Sequence, residues 1–257
     1  MKVLKEIYAY REMLFNLVRK GLRIRYKGSF LGFLWTFLNP LLQLIIYSMV
    51  FAIIVRANIE KYYMFLFVAL VPWMFFSACL QDSASSIIAN KDLVKKIYFP
   101  RSIIPLSIVC TAFMNMLYTM IVVFIALIFS GIGLNFSVLA LPVIFAIEFL
   151  FALGIALIIA GLNVYFRDLE YILGMIIMAW FYFTPVMYPI DMIPSQVVAI
   201  FYANPMTNII LAYRDILYYK KFPDLSSMSL AIVIGLVTTV IGFVLFQKLQ
   251  RGFVEEL

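Results

Sequence analysis

Gln81-Asp-Ser-Ala-Ser-Ser-Ile-Ile-Ala-Asn-Lys-Asp-Leu-Val-Lys-Lys-Ile-Tyr-Phe-Pro-Arg101 is a charged island in an otherwise apolar sequence. It carries Asp82, Lys91, Asp92, Lys95, Lys96 and Arg101, while long runs nearly free of charge lie on both sides. Runs of that length read as membrane spans, so the island sits in water or at a headgroup surface. Ile87, Ile88, Val94 and Ile97 recur at roughly helical spacing with lysines between them, and Pro100 closes the segment. The expectation is a short amphipathic helix hung between two spans. Such a helix suits either a solvated face on the bilayer or the grip of a soluble partner.

Composition fixes the class. Hydrophobic residues make up 65% of the 257 and charged residues 13%, against about 45–50% and 25% in soluble domains. The chain is therefore expected to be an all-α integral membrane protein, a single transmembrane domain over 1–257. The first thirty residues carry charges throughout and no compact apolar core, so no cleavable signal peptide is expected. Cys79 and Cys110 fall in or beside apolar runs and read as small buried hydrophobes. Histidine is absent, which removes histidine metal sites and the commonest proton shuttle, and no metal site is expected.

Six spans are expected, at about 30–55, 62–80, 102–130, 136–162, 171–188 and 229–246. Pro40 inside the first predicts a kink. Gly28 and Gly32 have the small-xxx-small spacing that permits close helix approach. Ahead of the spans, residues 1–29 place Leu14, Leu17, Val18 and Leu22 on one helical face and Arg19, Lys20 and Arg23 on the other. That pattern fits an interfacial helix with its cationic face toward anionic headgroups. If the N-terminus is cytoplasmic, fifteen of the twenty lysines and arginines fall in inner segments. The outer five are Arg56, Lys61, Arg214, Lys220 and Lys221. The positive-inside rule then puts both the N-terminus and the 247–257 tail in the cytoplasm.

Residues 189–228 contain apolar runs near 193–203 and 206–219, divided by Asn204-Pro205. Each is too short to cross a bilayer, so they read as two short helices folding back into the outer leaflet before the last span. Pro185, Pro189 and Pro194 supply the breaks at their entrance.

The sequence carries no Gly-x-x-x-x-Gly-Lys-Ser/Thr phosphate loop, and no Asp-x-Asp or paired-carboxylate cluster sits near a pocket-like segment. Glu148 is read as the exceptional buried charge, where an unpaired carboxylate costs on the order of 2–3 kcal/mol. A protonated glutamate hydrogen-bonded to a neighbouring helix is preferred to a substrate or proton site. Aromatics are dense at Trp35, Phe37 and Tyr47 in the first span and at Trp180, Phe181, Tyr182 and Phe183 in the fifth. Lipid-facing belts and core packing are the default for them, and a wall along which sugars slide is the second use.

Four stretches together resemble the membrane subunit of ABC exporters for lipid-linked polymers, the O-antigen and teichoic acid permeases. They are Arg25-Tyr-Lys-Gly-Ser-Phe-Leu-Gly-Phe-Leu-Trp-Thr-Phe-Leu-Asn-Pro40, Lys95-Lys-Ile-Tyr-Phe-Pro-Arg101, Asn163-Val-Tyr-Phe-Arg-Asp-Leu-Glu170 and Asn204-Pro-Met-Thr-Asn-Ile-Ile-Leu-Ala-Tyr-Arg-Asp215. The resemblance implies a homodimer in the bacterial cytoplasmic membrane, clamped by two copies of a separate ATPase that carries the ATP and Mg. It implies that the island, with Asn90, Lys91, Leu93, Lys95, Lys96, Tyr98, Phe99, Pro100 and Arg101, contains the helix seated in the ATPase. It implies a polymer on an undecaprenyl pyrophosphate carrier and a path lined by the first and fifth spans, with Trp35, Phe37, Tyr47, Trp180 and Tyr182. Arg23, Arg25 and Lys27 are placed to meet the pyrophosphate through charge-assisted bonds, although a plain membrane anchor uses the same residues. Membrane lipid is the remaining partner, and no nucleic acid is expected.

Between teichoic acid and O-antigen the sequence leans slightly to teichoic acid. A passive channel is the alternative, although no filter or charged ring is visible. A membrane-embedded lipid-modifying enzyme is another, although it needs a catalytic constellation.

Overall fold

The computed structural model describes residues 2–24, 28, 30–51 and 59–257, with the backbone alone at 2–4 and 225–227. Among the described residues all regular structure is helical. Two N-terminal helices, α1 (Lys2–Ala9) and α2 (Arg11–Ile24), precede α3 (Trp35–Val50). The core helices are α4 (Tyr62–Ala84), α7 (Ile103–Phe129), α8 (Leu141–Tyr165) and α12 (Leu225–Leu249). Between α4 and α7 lie α5 (Ser86–Ala89) and α6 (Lys91–Lys96). After α8 come α9 (Leu169–Tyr182), α10 (Val198–Ala203) and α11 (Pro205–Leu217), and α13 (Phe253–Glu256) ends the chain.

Five stretches are long and apolar enough to cross a membrane: Gly32–Val50, Tyr62–Ala84, Ile103–Phe129, Phe136–Tyr165 and Met228–Glu256. The expected fifth span stops early. Its helix, α9, has 14 residues and is about 21 Å long, short of the roughly 30 Å hydrocarbon core. The cause is local, because Pro185 and Pro189 cannot donate to a continuing helix. The chain instead turns at 183–189 and runs into α10 and α11, the expected short pair. Pro205 occupies the first turn of α11, and the Asn204 side chain accepts the Met206 backbone N–H at 3.1 Å, capping the helix.

Long-range hydrogen bonds define two ends. At one, Tyr10 donates to the Tyr98 carbonyl, Arg101 to the Gln250 carbonyl and Tyr165 to the Leu249 carbonyl. At the other, Tyr62 donates to the Met187 carbonyl, Tyr218 to Glu60 and Asn135 to Lys220. Both termini therefore share one end, and the fold-back helices lie at the far end.

Pro40 leaves the Thr36 carbonyl without its usual helical donor, and the Thr119 hydroxyl of α7 bonds it at 3.3 Å. Helix α2 lies along α7, where a Cβ on Gly21 would come within 2.9 Å of the Thr111 hydroxyl oxygen. Leu14, Leu17, Val18 and Leu22 are half-buried and Arg19, Lys20 and Arg23 exposed, so the apolar row read as lipid-facing packs on protein as well. Gly28 and Gly32 make no helix contact among the described residues. Both take positive φ, 83° and 46°, and a Cβ on either would meet nothing within 4 Å. They serve the turn before α3.

The tightest helix pair is α8 with α12. A Cβ on Gly154 would lie 2.5 Å from the Thr238 backbone carbon, and one on Gly242 would lie 2.3 Å from the Gly154 carbonyl oxygen. The Thr239 hydroxyl donates across the pair to the Leu150 carbonyl at 2.7 Å. Small residues let the backbones touch, as dispersion between helices in lipid requires. Gly154→Leu must push them apart, costing on the order of 1–3 kcal/mol or more, and lowers the thermal midpoint of the purified protein. Gly174→Ala on α9, where a Cβ meets nothing within 4 Å, does not lower it, since alanine is the better helix former. Equal midpoints for the two variants would contradict this packing.

Candidate functional site

The charged island is not one helix. Helix α4 carries through Gln81 and Asp82 to Ala84, and the rest divides into α5 and α6 at Asn90. The Asn90 side-chain amide donates to the Ser86 carbonyl at 2.8 Å, while the Asn90 backbone carbonyl accepts the Leu93 and Val94 backbone N–H groups at 3.0 and 3.1 Å. Such local side-chain bonds compete with helix continuation. Ile87 and Val94 are buried as expected, but Ile97 is extended (φ −127°, ψ 137°) and exposed. Its place on the apolar face is thus corrected, because the helix has ended at Lys96.

The residues expected to meet an ATPase fall into two groups. Lys91, Lys95, Lys96 and Tyr98 face outward, Tyr98 at 94% exposure, with Asn90, Leu93 and Pro100 half-buried beside them. Lys96 pairs with Asp92 at 3.7 Å on an exposed face, a contact worth little. Phe99 and Arg101 instead hold the segment to the body. Phe99 is 6% exposed. Arg101 donates to the Gln250 carbonyl and lies over the Phe253 ring at 5.9 Å. Phe253 is buried against Phe246 and Tyr165. The island is anchored to the C-terminal helix and, through Tyr98, to Tyr10.

Arg167 and Asp168 in the loop before α9, and Glu170 in its first turn, are exposed and form no ion pair among the described residues. The loop and Glu256 border a cavity of about 640 Å³. Arg23 is exposed in the last turn of α2, while Arg25 and Lys27 lie outside the described residues.

The aromatics expected to line a path do not form one wall within the chain. Tyr47 on α3 faces Phe181 on α9 with ring centroids 6.0 Å apart. Both line a groove of about 350 Å³ with Gln43, Trp73, Ser77 and Gln81. Trp35 borders a separate cavity of about 440 Å³ with Asn39, Asn115 and Thr119. Phe37 packs edge-on to Phe33, and Tyr182 is exposed. Trp180 has a different job. Its indole N–H donates to Asn204 Oδ1 at 3.0 Å, and its ring sits edge-on to Phe76 at 5.0 Å. Asn204 also donates to Thr184 Oγ1 at 2.9 Å.

At the far end, Arg214 of α11 is 1% exposed. Its guanidinium donates to the carbonyls of Pro185 (2.5 Å), Val186 (2.6 Å), Tyr188 (3.2 Å) and Phe65 (3.4 Å). It also lies 3.6 Å from the Phe65 ring centre, a desolvated cation–π contact. The preceding residue reaches the other way, with Tyr213 Oη donating to Glu148 Oε2 at 2.6 Å. Glu148 is 0% exposed, so its expected hydrogen bond to a neighbouring helix is present. Asp215 pairs with Lys221 at 3.2 Å. Burial raises the Asp215 carboxyl above its usual range, and Lys221 draws it back.

A profile of the ABC-2 type transporter family matches residues 12–218. The chain belongs to this family. The O-antigen export system permease protein of Myxococcus xanthus is 33% identical to it, over 100% of both chains. A protein of the same description from Klebsiella pneumoniae is 37% identical over 96% of this chain and 95% of its own. The polysialic acid transport protein of Escherichia coli is 24% identical over 91% and 92%.

In this ABC-2 chain the sequence reading missed Arg214, which counted there only as an outer-loop charge. Its position inside the apolar run 206–219 was the available signal, since an ionisable residue among such neighbours marks a built site. Arg214→Ala strands the carbonyls of the 183–189 turn, each buried acceptor left without a donor costing about 1–3 kcal/mol. Arg214→Lys restores charge but not the fork, so both variants lower the thermal midpoint, alanine more. A midpoint equal to wild type for either would show that the turn holds itself.

Proposed function

We propose that the chain is the permease subunit of an ATP-driven exporter that moves a lipid-linked polysaccharide, of the O-antigen type, outward across the cytoplasmic membrane. End-to-end similarity to O-antigen export permeases carries this reading. The polysaccharide names of these relatives turn the preference from teichoic acid to polysaccharide. The carrier is undecaprenyl pyrophosphate, and Arg23, Arg25 and Lys27 meet its phosphates. Two copies of the chain assemble with two copies of an ATPase subunit, which holds ATP and Mg.

In this reading the chain crosses the membrane six times, α9 with its following turn making the fifth passage, and both termini are cytoplasmic. Residues 1–29 form the interfacial entrance, 30–246 the spans, 81–101 the ATPase contact, 189–228 the outer fold-back and 247–257 the inner tail. The exposed face of Lys91, Lys95, Lys96 and Tyr98 receives the ATPase, while Phe99 and Arg101 transmit its movement. Helix α4 supports that route. It runs unbroken from Tyr62, bonded to Met187 in the fold-back turn, to Ala84, where the island begins. Arg167, Asp168 and Glu170, without an ion pair among the described residues, supply a second, smaller ATPase contact. Tyr47 and Phe181 give the path a sliding aromatic surface, completed across the dimer by Trp35, Phe37 and Tyr182.

Loss of the chain should abolish surface polysaccharide while lipid-linked polymer accumulates inside the cell. Lys95→Glu with Lys96→Glu should leave the permease inserted and the ATPase bound while export falls at least tenfold. Unimpaired export by a normally assembled double variant would reject the coupling role of this face.

A further inference from the structure

The end of α12 is gripped from two sides. In the final turn of a helix the carbonyls run out of helical donors and carry the negative end of the dipole. Arg101, which closes the charged island, donates to the Gln250 carbonyl and stands over the Phe253 ring. Tyr165, the last residue of α8, donates to the Leu249 carbonyl at 2.8 Å. Beyond these bonds the tail folds back onto the body. Phe253 is 0% exposed, its ring edge-on to Phe246 at 5.5 Å and 6.2 Å from the Tyr165 ring. A Cβ on Gly252 would come within 2.5 Å of the Tyr165 hydroxyl oxygen, so the tail backbone passes directly against it. Glu256 then borders the cavity lined by the loop before α9.

Two segments far apart in sequence therefore meet on one short stretch of chain, 249–256. One is the island, which leads from α4 into α7; the other is the 166–170 segment, which leads from α8 into α9. A helix that simply ended at Leu249 would be capped by water. Here a buried ring lies beyond it, with an arginine from one segment and a tyrosine from the edge of the other on its sides. We propose that Tyr165 and Phe253 are positioning residues that, with Arg101, fasten the island and the 166–170 segment to the end of α12, so that the two move as one body. The inference rests on the proposed ATPase contacts of these segments. Joined in this way, a push on either one reaches α8 and α12, the tightest helix pair, as well as α4 and α7. Without the clamp each segment follows only its own two helices.

Spin labels on Ala89→Cys in the island and Tyr171→Cys at the start of α9, both exposed, test the clamp in a chain carrying Cys79→Ala and Cys110→Ala. Labelled chain is diluted into excess unlabelled chain in nanodiscs, so that distances within one copy are read. With the clamp intact the distance keeps one mean value in the resting and the vanadate-trapped ATPase complex. Phe253→Ala broadens the distribution on the chain alone. Tyr165→Phe, which keeps the ring and loses the bond, raises amide exchange of 250–257 about fivefold, as loss of one hydrogen bond predicts. In the complex both variants still hydrolyse ATP but export less polymer per ATP hydrolysed, and Phe253→Leu, which restores most of the apolar volume, recovers the ratio. A residue that only stabilised the fold would lower the thermal midpoint and leave that ratio unmoved. Tyr165→Phe decides the matter even where Phe253→Ala fails to fold. A distance that shifts on trapping, or an export ratio unchanged in Tyr165→Phe, overturns the clamp and leaves the transport reading standing. No ATPase bound to the wild-type chain removes that reading and the positioning role with it.

Discussion

The far end of this protein depends on one buried cation. The 183–189 turn cannot be a helix, because its prolines lack donors, yet it must bury several backbone carbonyls. Arg214 must bury a charge, which is tolerable only when its N–H groups are satisfied. Each solves the other's problem. Three turn carbonyls and the Phe65 carbonyl of α4 receive the guanidinium, and so α9, α11 and α4 are joined at a single point. Tyr213, next in the chain, ties the same helix to Glu148 on α8. Two adjacent side chains thus fasten the fold-back pair to both flanks of the bundle.

The contrast between elements bears on transport. Helix α4 is buried along most of its length, and α8 and α12 touch backbone to backbone. Helices α3 and α9 expose long apolar faces, including Ile45, Ile46 and Met49 on one and Met175, Ile176 and Met178 on the other. A tightly packed core thus lies between two less encumbered helices. The island hangs between α4 and α7, both core elements, and is stapled to the C-terminal helix through Arg101. Displacement of its exposed lysine face is therefore not absorbed by a loose loop.

Much of this was readable from the sequence, because apolar length, charge placement and proline are local properties. They gave the membrane class, five spans nearly in place, the start of the remaining one, the break at Asn204-Pro205 and the charged island. Glu148 was legible as a buried carboxylate needing a neighbour, though not which neighbour. Tertiary structure decided what each side chain does with its position. Trp180, dense among aromatics and read as path lining, is turned to Asn204; Ile97, in register with an apolar face, is left outside when the helix ends early. Arg214, one more positive charge by composition, becomes the far-end anchor, and Gly154 meets Gly242 from a distant helix. These outcomes rest on which carbonyl, ring or backbone lies opposite, and that partner comes from elsewhere in the chain. Hydrophobic patterning specifies that a residue is buried, whereas only packing specifies against what.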